Sequence, residues 1–244
     1  MQFGLIGKSL SHSFSKAYFE KKFSDLKLHN YNYQNFEIAE ISQVLNVFNT
    51  QSLKGLNVTN PYKEEIIPYL NSLSPEALEM GAVNCIKFVN EKTIGYNTDY
   101  YGFAQSIKPF LEAQHNKALI LGTNGASKTV AYALKKIGVE VYFVTSSSVK
   151  KNENTFFYSE LNTHIFNAFK LIVNTTPVGL FPNINEAPKI PYEYITANHL
   201  CYDLIYSPTE TLFLKHAKQQ GALVVNGYSM LQLQAEKSWE IWNE

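Results

Sequence analysis

Short apolar runs bounded by polar turns alternate with longer segments of helical spacing, which is the sequence form of an α/β protein with largely parallel sheets. In the first half the predicted strands are Phe3 to Ile6, Tyr31 to Phe36, Gly55 to Val58, Ala82 to Phe88 and Thr93 to Tyr96. Between them, Ser15 to Phe23 and Ile38 to Asn49 carry helical spacing, and Pro61 suits the first turn of a helix that contains Lys63. The second half begins afresh. Lys117 to Leu121 is a buried-strand run, Gly122 to Ser127 a turn, Lys128 to Ile137 a helix ended by Gly138, and Val139 to Val144 the next strand. Leu171 to Val173 and Leu200 to Leu204 are further short strands, each leading into a polar or proline-bearing loop, while residues 145–163, rich in Ser, Asn and Lys, read as a solvated connection. Tyr228 to Trp242 predicts a C-terminal helix with Gln234 near its middle; a helix crossing back to the first half would turn that amide toward the cleft between two domains. The expected organisation is an N-terminal α/β domain of residues 1–101, completed by 228–244, and a nucleotide-binding domain of residues 102–227.

Composition narrows the chemistry. With 244 residues, 45% hydrophobic and 17% charged, the chain can bury a proper core. Its 21 basic and 21 acidic residues cancel, so no global field draws it to nucleic acid or an anionic membrane, and small-molecule work fits better. All the basic residues are lysine. Codon bias accounts for that, but the consequence is chemical: carboxylates and phosphates must be held by lysine, hydroxyls, amides or backbone N–H groups, without a guanidinium fork. Cys85 and Cys201 are far apart and signal neither a disulfide framework nor a zinc site, so no metal is expected. No apolar run reaches about 18 residues, and Phe3 to Gly7 reads as a strand rather than a leader. The expectation is a soluble cytoplasmic protein, monomer or homodimer.

Three polar clusters carry candidate chemistry: Asn57 to Lys63, Gly81 to Asn84, and Asn97-Thr-Asp99. Asn57 to Thr59 leads from a strand end into a loop, where ligands gather in open α/β sheets. A lysine there, paired with a carboxylate such as Asp99, can shuttle a proton to a substrate oxygen while hydride moves. Taken singly, Lys63 is equally a solvated charge and Asp99 a turn residue. The turn Gly122-Thr-Asn-Gly-Ala-Ser127 departs from GxGxxG at Asn124 and Ser127, yet lies between an apolar strand and a helix, where amides and a helix N-terminus meet a pyrophosphate. A purely structural turn would have the same composition. After the second strand come Thr145, Ser146, Ser147 and Ser148, then Lys150 and Lys151. With no carboxylate to repel a 2′-phosphate, and with hydroxyls and lysines to receive it, NADP is favoured over NAD.

In order and wording these motifs resemble the shikimate dehydrogenase family over essentially the whole chain. The resemblance implies a substrate domain and a Rossmann-like domain, and the reversible NADPH-dependent reduction of 3-dehydroshikimate to shikimate in aromatic amino-acid biosynthesis. Ser11-His-Ser-Phe-Ser15 is similar to the family's serine loop, so Ser13 and Ser15 would hold the substrate carboxylate. Asn57 to Lys63 matches Asn-Val-Thr-x-Pro-x-Lys, which implies that Thr59 binds substrate and Lys63 is catalytic with Asp99. Asn84 and Asp99 would bind ring hydroxyls. Gly122, Thr123, Asn124, Gly125, Ala126 and Ser127 resemble the cofactor loop, with Thr123 and Asn124 as departures. Asn174, Thr175 and Thr176 open the Asn-x-Thr-x-x-Gly stretch beside the cofactor, and Tyr202 to Tyr206 resembles Tyr-Asp-x-x-Tyr, which places Tyr206 with the substrate. Gly227 and Met230 resemble a Gly-x-x-Met-Leu turn against the cofactor, and Gln234 falls at the substrate-binding glutamine.

Where NADP-dependent members carry Asn-Arg-Thr, this chain has Thr145-Ser146-Ser147, which removes a charge and a stacking plane for adenine and leaves NAD possible. Three rivals follow: an NAD-using quinate/shikimate dehydrogenase, a noncatalytic metabolite-binding relative, and a folate-linked dehydrogenase, for which the serine loop and Gln234 give no support.

Overall fold

The computed structural model describes residues 1–11 and 13–244; His12, inside the serine loop, lies outside the described residues. Two compact units result, residues 1–98 with 235–244 and residues 99–234.

The first unit contains β1 (Gln2–Gly7), α1 (Phe14–Asp25), β2 (Asn32–Glu37), α2 (Val44–Phe48), β3 (Leu53–Val58), β4 (Ser72–Leu73), α3 (Pro75–Met80), β5 (Cys85–Val89) and β6 (Lys92–Tyr96). Its sheet has the order β2-β1-β3-β5-β6-β4. β1 runs parallel to β2 and β3, and β4 runs parallel to β6, so three of the five pairings keep the parallel character that the pattern suggests, while β5 is antiparallel to both β3 and β6 and makes the sheet mixed. The cause is local. β5 and β6 are joined by Asn90-Glu91, with φ of 48° and 64°, and a two-residue turn with both φ positive closes an antiparallel hairpin.

Two helical expectations here are also corrected. The segment 38–49 forms a 3-10 turn at Ile41–Gln43 and then the short α2. Pro61 follows a cis peptide bond, and residues 60–66 form consecutive turns instead of a regular helix. Pro68 has no N–H for the Glu64 carbonyl, so a helix opened at Pro61 has no room to propagate.

The second unit contains α4 (Asp99–Ile107), β7 (Lys117–Leu121), α5 (Gly125–Lys136), β8 (Glu140–Thr145), β9 (Thr155–Phe157), α6 (Thr163–Ala168), β10 (Leu171–Asn174), β11 (Leu200–Asp203), α7 (Leu212–Gln219), β12 (Leu223–Val225) and the start of α8 (Tyr228–Asn243). All its strands are parallel, in the order β12-β11-β10-β7-β8-β9. Side chains of successive residues go to opposite faces. Ala118, Ile120, Leu171, Val173, Leu200 and Tyr202 enter one core, while Leu119, Leu121, Ile172 and Cys201 enter the other. Burial on both faces is why these strands read as unbroken apolar runs. The solvated connection expected over residues 145–163 is corrected as well, since β9 lies within it as an edge strand on β8, with Thr155 buried.

Helix α8 is shared. Its residues through Gln234 belong to the second unit, and the remainder packs in the first. There the Trp242 indole lies directly over Gly55 of β3, where any Cβ would overlap it, and its Nε1 donates to the Ile86 carbonyl at 3.0 Å.

Candidate active site

The serine loop follows from the close passage of β1. Gly7 ends that strand where a Cβ would strike Leu10 and Thr59, so the chain can turn tightly into helix α1. Ser13 is the N-cap of α1 in extended conformation, yet its side chain makes no capping hydrogen bond. Its Oγ is buried and has no partner among the described residues. A buried hydroxyl costs free energy unless something accepts or donates to it. Beside the positive end of a helix, the complementary group is an anion.

Ser15 is buried close to Tyr33, where a chain of side-chain hydrogen bonds through the first unit begins. The Tyr33 hydroxyl donates to Asn57 Oδ1 at 2.8 Å. Asn57 Nδ2 donates to Ser238 Oγ at 2.9 Å, and Ser238 meets Thr98 Oγ1 at 3.2 Å. Thr98 holds Asn84 at both ends, accepting from Nδ2 at 3.0 Å and donating its backbone N–H to Oδ1 at 2.6 Å. Burial drives the Tyr33 phenol well above its ordinary pKa, which keeps it a donor. Stacking on Phe19 at 4.7 Å fixes its ring.

Lys63 is half-buried between Tyr62 and Ile66, which are both in the core. The Tyr62 hydroxyl donates to the Ile38 carbonyl at 2.7 Å, and the Lys63 carbonyl accepts from Val83 N at 2.8 Å. The second bond ties the lysine turn to the Gly81 to Asn84 segment, so Lys63, Thr59 and Asn84 share one end of the first sheet. Thr59 is anchored by its backbone N–H to the Ile6 carbonyl at 2.9 Å.

In the second unit, Asp99 is the first residue of α4, and Gly102 follows one turn later. Gly102 lets α4 approach α8 closely, since its Cβ would meet the Met230 carbonyl at 2.5 Å and Gln234 Cβ at 3.0 Å. Asp99 and Gly102, three apart, share a helix face, so the Asp99 carboxylate and the buried Gln234 belong to one pair of packed helices. Gln234 Nε2 donates to the Leu231 carbonyl at 3.0 Å. Tyr206, after β11, is half-buried, and burial raises its phenol pKa.

The parallel sheet, read from β9 to β12, has the order 3-2-1-4-5-6, with its switch point between β7 and β10. The loops leaving those two strands are laced together. Thr175 Oγ1 donates to the Leu121 carbonyl at 2.6 Å and lies 2.7 Å from Ser127 Oγ. Gly122 has φ of 108°, and a Cβ there would sit 3.0 Å from Thr175 Oγ1, so only glycine suits the position. Asn124, a departure in the sequence motif, is the N-cap of α5. Its Oδ1 accepts from Ser127 N at 3.0 Å, and its Nδ2 donates to the Thr175 carbonyl at 2.9 Å. That cap occupies the Ser127 donor, while the Gly125 and Ala126 amides stand in the exposed first turn, where a helix has no carbonyl of its own to offer them. A glycine turn, a preset helix N-terminus and exposed amides at the switch point fit a pyrophosphate. Gly227 packs its backbone against the Leu204 carbonyl, and Met230 is half-buried beside it.

Asn174 lies wholly inside. Its Nδ2 donates to Asp203 Oδ1 at 3.0 Å, and its Oδ1 accepts from Thr176 Oγ1 at 2.7 Å. Asp203, at the end of β11, also accepts from Thr211 Oγ1 at 2.6 Å and Ile205 N at 3.1 Å. Burial raises this carboxyl to about 6 against the three bonds that lower it. Thr211, Ser238 and Tyr33 escape sequence reasoning as site residues, and Asp203 and Thr98 fall inside the motifs Tyr202 to Tyr206 and Asn97-Thr-Asp99 without a role of their own. The signal that could have given Asp203 a role is a lone carboxylate closing the apolar run Leu200 to Tyr202.

Such a sheet and switch point define the second unit as a Rossmann-type nucleotide-binding domain, joined here to a mixed-sheet α/β unit lined with hydroxyls and amides. The family profile described as shikimate dehydrogenase substrate binding domain matches residues 5–86. The shikimate dehydrogenase (NADP(+)) of Methanococcus vannielii is 37% identical over 98% of this chain and 90% of its own length. Among solved structures, shikimate dehydrogenase from Aquifex aeolicus superposes with a TM-score of 0.88 at 36% identity, covering 100% of this chain and 92% of that one. The enzyme from Thermus thermophilus in complex with NADP(H) and shikimate gives a TM-score of 0.86 at 30% identity, covering 99% of this chain and 93% of that one. The chain belongs to the shikimate dehydrogenase family.

Proposed function

We propose that this chain catalyses the reversible NADPH-dependent reduction of 3-dehydroshikimate to shikimate, in the cytoplasm. The observation that carries the reading is the buried Ser13 hydroxyl without a partner at the head of α1. In a protein without arginine, that is a place built for a small carboxylate. Ser13 and Ser15 hold the acid group, and Thr59, Asn84, Gln234 and Tyr206 orient the ring through its hydroxyls. A bound nicotinamide nucleotide supplies the hydride. Lys63 gives the proton that the carbonyl oxygen takes up as it becomes a hydroxyl, and Asp99 is the carboxylate partner of that ammonium. Gly122 to Ser127 receive the pyrophosphate, Asn174 to Thr176 with Gly227 and Met230 flank the nucleotide, and Thr145 to Ser147 face its adenosine end.

A second reading, NAD as coenzyme with shikimate or quinate as substrate, is favoured by the lack of an arginine after β8. Oxidation of shikimate and of quinate by purified protein, run with NADP and NAD in parallel, tests both. Turnover of shikimate with NADP well above the other three combinations is expected. No turnover with any pair would leave only a noncatalytic binder.

A further inference from the structure

We infer that Asn35 and Glu37, on β2, are positioning residues that set Ser13 in place to receive the substrate carboxylate. The inference rests on the proposed reading of Ser13 and names the groups that hold it there. β2 runs parallel to β1 with Asn35 opposite Leu5 and Glu37 opposite Gly7, so these two side chains stand beside the chain as it leaves β1. At alternate positions of one strand, they share a face of the sheet with Tyr33. Tyr33 bonds to Asn57, whereas Asn35 and Glu37 both reach Leu10. Glu37 Oε1 accepts from Leu10 N at 2.6 Å, and Asn35 Nδ2 donates to the Leu10 carbonyl at 3.1 Å. The same carbonyl accepts from Ser13 N at 3.1 Å.

Leu10 is therefore pinned from every side. Its side chain is buried in the core of the first unit, in the space that a Cβ on Gly7 would invade, and both its backbone polar groups are taken by β2. Ser13 has no such hold of its own: its side chain makes no capping bond, and its Oγ meets no partner among the described residues. What locates that hydroxyl is its backbone, and the backbone N–H is on the Leu10 carbonyl. The chemistry of the two β2 groups is dictated by what they face. Leu10 N needs an acceptor and the Leu10 carbonyl a donor, so an acid suits position 37 and an amide position 35. Asn35 is half-buried, and its Oδ1 is left without a partner among the described residues. Turning the amide over would set that oxygen against the Leu10 carbonyl, so the bond to Leu10 decides its orientation. An anion-binding hydroxyl is useful only where it is held to a fraction of an ångström, and here β2 supplies the hold.

The test is steady-state oxidation of shikimate, with calorimetric titration of shikimate into the full-length protein beside it. Asn35→Ala and Glu37→Ala are each expected to raise KM and Kd for shikimate about tenfold, while kcat stays within about twofold. Glu37→Gln keeps the acceptor and should restore the parent values. Gln34→Ala, an exposed side chain on the other face of β2, should change nothing. Because Glu37 is exposed, its substitution answers the question even where Asn35→Ala does not fold. A positioning role also requires that the effects do not add: beside Ser13→Ala, Asn35→Ala or Glu37→Ala should raise KM by less than about twofold more. The inference falls if KM and Kd do not move, if kcat falls as far as KM rises, or if either effect persists in full beside Ser13→Ala. A parent that oxidises shikimate, with variants that match it, would leave the proposed reaction standing and remove this inference. A parent that binds shikimate, releases it more readily with Glu37→Ala and oxidises none would do the reverse. A parent that neither binds nor oxidises shikimate would end both.

Discussion

Replacing Asp203 by asparagine should make the second unit more stable at neutral pH, by an amount that shrinks as the solution is acidified. The carboxyl is wholly buried, and its pKa is raised from 3.8 to about 6, chiefly by desolvation. A group whose folded pKa lies above its unfolded value binds more protons in the folded state, so the fold loses stability as pH rises from about 4 to about 6 and regains none above. A shift of two units amounts to about 3 kcal/mol at pH 7. Asparagine keeps the geometry. Its Oδ1 still accepts from Asn174 Nδ2 and Ile205 N, and its Nδ2 faces Thr211 Oγ1, which turns its hydroxyl to accept. Urea unfolding of both proteins between pH 4 and pH 8 is the assay. It should be followed by far-UV circular dichroism, because both tryptophans, Trp239 and Trp242, belong to the first unit. The informative quantity is the difference between variant and parent, in which every other titration cancels. A difference that stays flat across this range, or grows toward acid, would refute the account of Asp203 as a carboxylate ionised against its surroundings.

Lys63→Ala should lower kcat by about 100-fold or more while KM for shikimate changes little; an unimpaired kcat in steady-state assays would remove Lys63 from the chemistry. His199 is held neutral: desolvation lowers its pKa, with Nε2 2.9 Å from the Phe166 carbonyl and Nδ1 accepting from Thr196 N at 3.0 Å. Its folded pKa lies below 6.5, so its contribution is complete above that value and is lost as pH falls through the folded pKa. Thermal melts of His199→Gln should therefore decline less steeply than the parent on the acid side of pH 6.5. Gly55→Ala should destabilise the first unit by about 1–3 kcal/mol by displacing the Trp242 indole, and tryptophan fluorescence during unfolding would register both the loss and the altered indole environment.

What the sequence makes legible follows from periodicity. Strands such as Ala118 to Leu121 and Leu171 to Val173 are read correctly because two cores leave them no polar face. The edge strand β9 is hidden for the opposite reason: three residues, Thr155 to Phe157, inside a run of Ser, Asn and Lys offer no alternation to detect. The antiparallel turn of the first sheet rests on Asn90-Glu91, where the dipeptide lacks the glycine that usually marks such a turn. Motif wording locates Ser13, Lys63 and Gly122, because backbone constraints and strand ends fix them locally. It passes over Ser238, whose partners Asn57 and Thr98 lie far away in the chain, and Thr211, eight residues from its partner Asp203, because a single hydroxyl looks like any surface serine or threonine. Asn124 shows the limit most clearly. Read as a missing glycine, it proves to be the cap that organises the turn.

The sharing of helix α8 also bears on how the protein is made. Residues 99–234 are all synthesised before residues 235–244, which bring Ala235, Ser238 and Trp242 to the first unit. On the ribosome, residues 1–98 must wait, with β3 uncovered at Gly55 and Asn57 lacking its serine, until residues 235–244 have been made. The unit of residues 99–234 can finish folding sooner than the one that precedes it in the chain.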